Sequence, residues 1–176
     1  KQAMKAFDNN EVPVGAVIVK NGEIIAKAHN LKETKFDTTK HAEILAIQKA
    51  SKKLNSWRLT NCEMYVTLEP CSMCAGALIN SRIEKLYIGT NDEKTGACGS
   101  KLNLLEDVTF NHKIEIERNV LQKECETIFE TNNIEDCVRK YPNKLIVTLG
   151  SDGLMYYNGK RIITTKRPIM VVVSAT

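Results

Sequence analysis

With 176 residues, 43% apolar and 26% charged, the chain is long enough for one globular domain with a real core and an appendage. No apolar run approaches the roughly 20 residues that span a bilayer, and no basic-then-apolar leader is expected, which sets aside membrane-spanning classes. The six cysteines, two of them at metal-type spacing, argue for a reducing compartment, the cytoplasm, over a disulfide framework. The net charge of +4 is unevenly spread: the last forty residues hold seven of the 25 Lys/Arg and one of the 21 Asp/Glu, leaving residues 1–136 slightly acidic. Charge alone therefore does not make the first part a nucleic-acid binder.

In chain order, Ala3, Met4 and Phe7 predict the last turns of a helix over residues 1–9; because Lys1 stands first, its beginning is expected to be missing. Val12–Val19 is a continuous apolar run, as in a central strand covered on both faces. Asn21-Gly22 is a hairpin signal that returns the chain into Glu23–Ala28. Residues 31–40 read as a polar loop, followed by a helix from His41 to about Asn55 with Ile44, Ile47 and Leu54 in periodic positions. Trp57-Arg58-Leu59 links to a strand over Met64–Leu68, then a tight turn at Glu69-Pro70, a helix over 71–81 and a strand over Lys85–Gly89. Residues 90–100 are polar and glycine-containing, hence a surface loop. Leu102, Leu104 and Leu105 suggest a short helix, Lys113–Glu117 alternates like an edge strand, and Leu121, Cys125 and Ile128 mark one helix face. Strands alternating with helices give an α/β layered fold.

Chemistry concentrates at two places. Cys71 and Cys74, at i and i+3 in the first turn of a helix, share a face, and the unpaired amides there favour thiolate over thiol. His41 and Glu43 open another helix, where residues i and i+2 reach one site only if it lies off the helix end. Two facing helix starts, each after a buried strand, then place His41, Cys71 and Cys74 around a zinc ion as three protein ligands. Water takes the fourth position, as in catalytic sites. Glu43 is the proton carrier for that water. Cys62, Cys98, Cys125 and Cys137 read as bystanders, and His29 and His112 as surface residues.

His-x-Glu followed by Pro-Cys-x-x-Cys is the signature of zinc-dependent nucleobase deaminases. Residues 11–30 (EVPVGAVIVKNGEIIAKAHN), PCSMCAGALINSRI and LYIGTNDEKTGACGS resemble the bacterial tRNA-specific adenosine deaminase family, over about residues 1–130. The resemblance implies a cytidine-deaminase-like three-layer sandwich, a mixed sheet of about five strands between helices. It also implies one zinc per chain, hydrolytic deamination of adenosine to inosine at the wobble position of a tRNA anticodon stem-loop, and a homodimer. Asn30 matches the asparagine that reads the purine ring, although an Asn at a strand end is otherwise a turn former. Asp92 and Lys94 match the loop bordering the flipped nucleotide, and Asn111 another RNA-side position. Family members usually carry Asp-Pro-Thr-Ala before the histidine, where this chain has Asp37-Thr38-Thr39-Lys40. Losing the Pro is expected to loosen the approach to His41, and Lys40 faces a phosphate or solvent.

The resemblance ends near residue 130. Family members continue through paired aromatics into a basic end, whereas Asn132 and Asn133 stop a helix here. A deaminase domain over 1–133 and a β-rich appendage over 134–176 are expected. Its strands are Lys144–Leu149, Leu154–Tyr157, Lys160–Thr165 and Ile169–Val173, with turns at Ser151-Asp152-Gly153 and Asn158-Gly159. LIVTLGSDGLMYYNGKRI is similar to a hairpin of ribokinase-like sugar kinases, but without their Gly-rich turn and catalytic Asp, so no kinase activity is inferred. Two other functions remain open. One is a guanine, cytosine or nucleotide deaminase, against which Cys74-Ala75-Gly76-Ala77 and Lys94-Thr95-Gly96-Ala97 speak. The other is an inactive zinc module binding RNA, which needs a fourth ligand such as Cys62 or Cys98.

Overall fold

The computed structural model describes residues 1–106 and 110–130, and the backbone of 146–148, 154–157 and 162–165. Asn21 and Gly22, with φ +51° and +78°, turn strand β1 (Gly15–Lys20) back into β2 (Glu23–His29) as an antiparallel hairpin. β1 also pairs antiparallel with β3 (Cys62–Leu68), and β3 pairs parallel with β4 (Lys85–Thr90), which pairs parallel with β5 (Glu115–Glu117). The sheet order is β2-β1-β3-β4-β5, the mixed five-stranded sheet expected from the resemblance.

This order has a functional consequence. β2 and β3 are both antiparallel to β1 and so parallel to each other, and β4 runs with β3. The carboxyl ends of β2, β3 and β4 thus lie at one end of the sheet, where ligands bind in open α/β folds.

Alternation along the strands sorts side chains onto two faces. Ala16, Ile18, Met64, Val66, Leu86 and Ile88 form one buried face. Helices α3 (Ala42–Leu54) and α4 (Ser72–Ser81) close over it with Ala42, Ala46, Ala50, Ala75, Leu78 and Ile79. The small residues of α3 let its axis lie close to the sheet. Helix α1 (Gln2–Asp8) and helix α5 (Gln122–Glu130) approach the other face at glycines. A Cβ on Gly15 would fall 2.5 Å from the Ala3 nitrogen, and one on Gly89 would run into Cys125 Sγ. Helices on both sides of the sheet make the three-layer sandwich.

Several expectations need correction. β1 starts at Gly15, not Val12, since Pro13 lacks an N–H for the ladder. Residues 31–40 include a one-turn helix, α2 (Lys32–Lys35). α3 therefore follows a folded connection, and β2 before it is a half-exposed strand. Leu102–Leu105 form no helix: Cys98 and Asn103 make an antiparallel bridge and the Leu104 amide donates to the Ala97 carbonyl at 3.0 Å. The loop over 90–100 is a surface loop only in part: Asn91, Glu93, Lys94, Thr95 and Gly99 are exposed, whereas Gly96, Ala97 and Cys98 are buried. His29 and His112 are half-buried, and His112 Nε2 sits 2.6 Å from the Ile83 carbonyl.

The chain divides into two compact units, Lys1–Phe129 and Glu130–Thr176. Within the second, β6 (Ile146–Thr148), β7 (Leu154–Tyr157) and β8 (Ile162–Thr165) form an antiparallel sheet in that order. The strand expected at Ile169–Val173, both turns of the tail, Cys137 and the stop at Asn132-Asn133 lie outside the described residues. Among the described residues no helix is long and apolar enough to cross a membrane.

Candidate metal centre and active site

His41 and Cys71 are both N-caps. His41 precedes α3 with φ −70° and ψ 151°, and Cys71 precedes α4 with φ −71° and ψ 174°. Neither side chain caps its own helix, so both are free to point off the helix ends. Cys74 is the third residue of α4, and its side chain rises past the helix start to join Cys71.

The result is a cluster. His41 Nδ1 lies 3.6 Å from Cys71 Sγ and 3.6 Å from Cys74 Sγ, and all three donor atoms fall within 4.8 Å of one another. A tetrahedral zinc with bonds of about 2.05 Å to nitrogen and 2.3 Å to sulfur requires a nitrogen–sulfur edge of about 3.6 Å. The residues present fit that ion. The Cys74 thiol and then the His41 imidazole pull Cys71 from the usual 9.0 down to about 4, so one sulfur of the pair is a ready thiolate. That thiolate, and burial, push Cys74 up. Among the described residues no fourth protein donor joins the cluster. Cys98 Sγ instead donates to the Pro70 carbonyl at 3.8 Å and Cys62 Sγ to the Thr60 carbonyl at 3.7 Å.

Glu43 is buried, 3% exposed, in the first turn of α3. Burial pushes its carboxyl above the usual 4.5, and His41 and Cys74 are its charged or polar neighbours. Its Oε2 is a buried side-chain oxygen with no hydrogen-bond partner. Such an oxygen is costly unless something outside the protein completes it. A proton-bearing small molecule at the cluster would complete it.

Two further carboxylates were not legible as site residues. Glu11, 3% exposed, accepts Asn30 Nδ2 and the Glu33 amide on Oε2, each at 3.1 Å, and the Thr34 amide on Oε1 at 2.7 Å. Glu69, 2% exposed, accepts the amides of Cys98 at 2.8 Å and Ser100 at 3.0 Å on Oε1, and that of Asp92 at 3.2 Å on Oε2. Burial pushes Glu69 up, but the Ser100, Asp92 and Cys98 hydrogen bonds outweigh it and hold the carboxyl below the usual 4.5.

The remaining candidates occupy varied settings. Asn30, at the end of β2, is buried with its amide nitrogen committed to Glu11. Asp92 organises its own loop: Oδ1 accepts the amides of Lys94 and Thr95 at 2.8 and 3.1 Å, and Oδ2 accepts the Thr95 hydroxyl. The Lys94 side chain is exposed. Asn111 Oδ1 accepts Arg82 Nη1 at 2.7 Å on the surface. The turn before His41 is tied despite its missing Pro: Asp37 Oδ1 accepts the Thr39 amide and hydroxyl at 2.8 and 2.7 Å, and Lys40 Nζ pairs with Asp37 Oδ2 at 3.0 Å. The Thr38–Lys40 stretch is thus held by Asp37, where a tighter backbone would otherwise come from proline.

Comparison with known proteins bears on this geometry. The model of the MafB19-like deaminase family matches residues 1–126. The tRNA-specific adenosine deaminase of Bacillus subtilis is 53% identical over 125 residues, 71% of this chain and 78% of that protein. The protein of the same name from Aquifex aeolicus is 49% identical over 130 residues, 74% of this chain and 86% of that one. A solved structure from a study of A-to-I editing by tRNA:A34 deaminases at the wobble position superposes with a TM-score of 0.70 at 38% identity, covering 72% of this chain and 92% of that one. The likeness of residues 145–162 to sugar kinases finds no support in these matches.

Proposed function

The chain belongs to the MafB19-like deaminase family, and from that premise we propose that it hydrolyses adenosine to inosine in tRNA, at the anticodon wobble position. Overall, adenosine and water give inosine and ammonia. The observation that carries this reading is the juxtaposition of a three-donor His/Cys/Cys cluster with a buried glutamate oxygen that has no partner. A binding module needs no such oxygen.

His41, Cys71 and Cys74 would hold a zinc ion. When bound, zinc supplies Lewis acidity that brings the pKa of water from 15.7 to about 7. The protein's own part is proton handling and placement. Glu43 takes a first proton from the attacking water on Oε2 and returns it to ring nitrogen N1, then carries the second, from the oxygen now bonded to C6, to the amine, which leaves C6 as ammonia. Asn30, its amide nitrogen steadied by Glu11, presents the rest of its amide to the purine. Asp92, Lys94 and Asn111 sit on the segments assigned to the surrounding RNA, with Asp92 shaping the loop that carries Lys94. The flipped nucleotide would be held out of its stack at the end of the sheet where β2, β3 and β4 finish.

Residues 1–133 are assigned the whole chemistry, and 134–176 an appendage without catalytic residues. A homodimer and a cytoplasmic location complete the reading; the first rests on the family resemblance and the second on the cysteine usage and the tRNA substrate. The test is turnover of a tRNA anticodon hairpin set beside free adenine, guanine and cytosine. Deamination confined to the hairpin adenosine is expected. Faster turnover of a free base would transfer the chain to the free-base deaminases.

A further inference from the structure

Glu69 stands two residues before Cys71, yet its side chain turns away from the metal donors and into the loop over residues 91–100. Its two oxygens collect three backbone amides, from Asp92, Cys98 and Ser100, and the Ser100 hydroxyl. The backbone adds parallel ties. Glu69 N donates to the Thr90 carbonyl at 2.9 Å, Ala97 N to the Pro70 carbonyl at 2.9 Å, and Cys71 bridges to Gly96. Gly96 is packed so closely that a Cβ would fall 2.6 Å from the Glu69 carboxylate and 2.6 Å from the Asp92 carbonyl. Arg118 also donates to the Cys98 carbonyl.

These contacts fasten both ends of the loop to the turn that carries the first metal cysteine. We propose that Glu69 is the positioning residue that keeps the 91–100 loop in register with the Pro70-Cys71 turn, so that the loop serves as a preformed wall for the substrate nucleotide. Glu69 touches neither the reacting atoms nor the metal donors in this role. The proposal rests on the deaminase reading above for its substrate, but not for its structural content.

The chemistry favours a carboxylate at this position. Four donors converge on two oxygens, and an ionised carboxylate is an acceptor on every side. A glutamine there would turn its NH2 group against donors, and an alanine would leave buried amides unpaired. A wall that binds ground state and transition state alike affects KM and leaves kcat. A residue that tuned the metal or the proton transfer would change kcat.

The experiment uses the full zinc-loaded chain and the variants Glu69→Gln, Glu69→Ala and Ser100→Ala. Ile83→Val, a buried change at the opposite end of the sheet, is the control for general softening of the fold. For the hairpin, KM is expected to rise about threefold in Glu69→Gln and about tenfold in Glu69→Ala, with kcat within about twofold and zinc content unchanged. Ser100→Ala is expected to raise KM alone but to add nothing in the Glu69→Ala background. Hydrogen exchange at the Cys98 and Ser100 amides is expected to accelerate in both Glu69 variants and not in Ile83→Val. An unchanged KM, an equal KM rise in the Ile83→Val control, or a fall in kcat with zinc loss overturns the proposal. If the wild-type chain does not deaminate the hairpin, the functional reading fails by itself. The amide exchange then decides whether Glu69 holds the loop, and unchanged protection at Cys98 and Ser100 overturns the proposal.

Discussion

Glu11 Oε2 accepts Asn30 Nδ2 at 3.1 Å, joining a residue just before β1 to the last residue before the loop that leads to His41. The same carboxylate takes the Glu33 and Thr34 amides at the start of α2. One buried acid thus fixes the candidate purine-reading side chain and the connection to the candidate metal ligand His41 together. Replacing it by Gln sets an NH2 group against at least one of these donors. Glu11→Gln is expected to lower stability by about 1–3 kcal/mol at pH 7 in urea unfolding, and to slow hairpin deamination. Asn30→Ala should slow turnover with zinc content unchanged.

The pH dependence follows from the direction of the Glu11 shift. Burial raises its pKa, but the Thr34 and Glu33 hydrogen bonds outweigh burial and leave it below the usual 4.5. A group with a depressed folded pKa contributes stability that is fully present above the unfolded value and lost as pH falls through the folded one. The stability gap between wild type and Glu11→Gln is therefore expected to be full at pH 7 and to shrink below pH of about 4. A gap that widens in acid would contradict this account of Glu11.

The metal prediction concerns the three donors. The full chain is expected to bind one zinc, and Cys74→Ala to bind close to none, measured by metal analysis of folded protein. A fourth sulfur in the coordination shell by X-ray absorption would remove the open position on which the chemistry depends.

Gly96→Ala tests the packing around Glu69 from the other partner. A methyl group there meets the Glu69 carboxylate and the Asp92 carbonyl, so a loss of about 1–3 kcal/mol by thermal or urea unfolding is expected. A neutral result would mean that the loop has room to shift.

The appendage is expected to be dispensable for chemistry. A chain ending at Asn133 should deaminate the hairpin with the kcat of the full chain, any difference appearing as weaker binding at low salt, because the last forty residues carry seven basic side chains. Loss of activity in a folded, zinc-loaded shortened chain would make the tail part of the substrate site.

How much of this was legible in the residues depends on how local the signal is. The Asn21-Gly22 turn, the alternation over Lys113–Glu117 where β5 lies, and the metal-type spacing of Cys71 and Cys74 are written within a few neighbouring positions. The structure brings His41 Nδ1 to those two sulfurs from thirty residues away, a closeness read in advance only through the motif pair. Leu102, Leu104 and Leu105 failed as a helix because apolar side chains report burial and not backbone conformation. Leu105 is buried, but on an irregular segment. Glu11 opens a family-like stretch and Glu69 marks a turn, but neither carries a local sign of being a buried acceptor. An acid in a sequence reads as surface, and the partners that bury these two lie 19 to 31 residues further along the chain. At Asp37 the proline-less segment carries local side-chain hydrogen bonds from Thr39, which residue propensities alone do not report.

The central claim is that Glu43, beside the His41/Cys71/Cys74 cluster, moves the protons of an adenosine deamination. Its most direct test is mass-spectrometric measurement of inosine in a tRNA anticodon hairpin incubated with zinc-loaded wild type and with zinc-loaded Glu43→Ala. The account predicts inosine at the wobble adenosine with wild type, and a rate at least about 100-fold lower with Glu43→Ala at equal zinc content and equal melting temperature. Near wild-type inosine formation by Glu43→Ala, or loss of zinc from that variant, would contradict it.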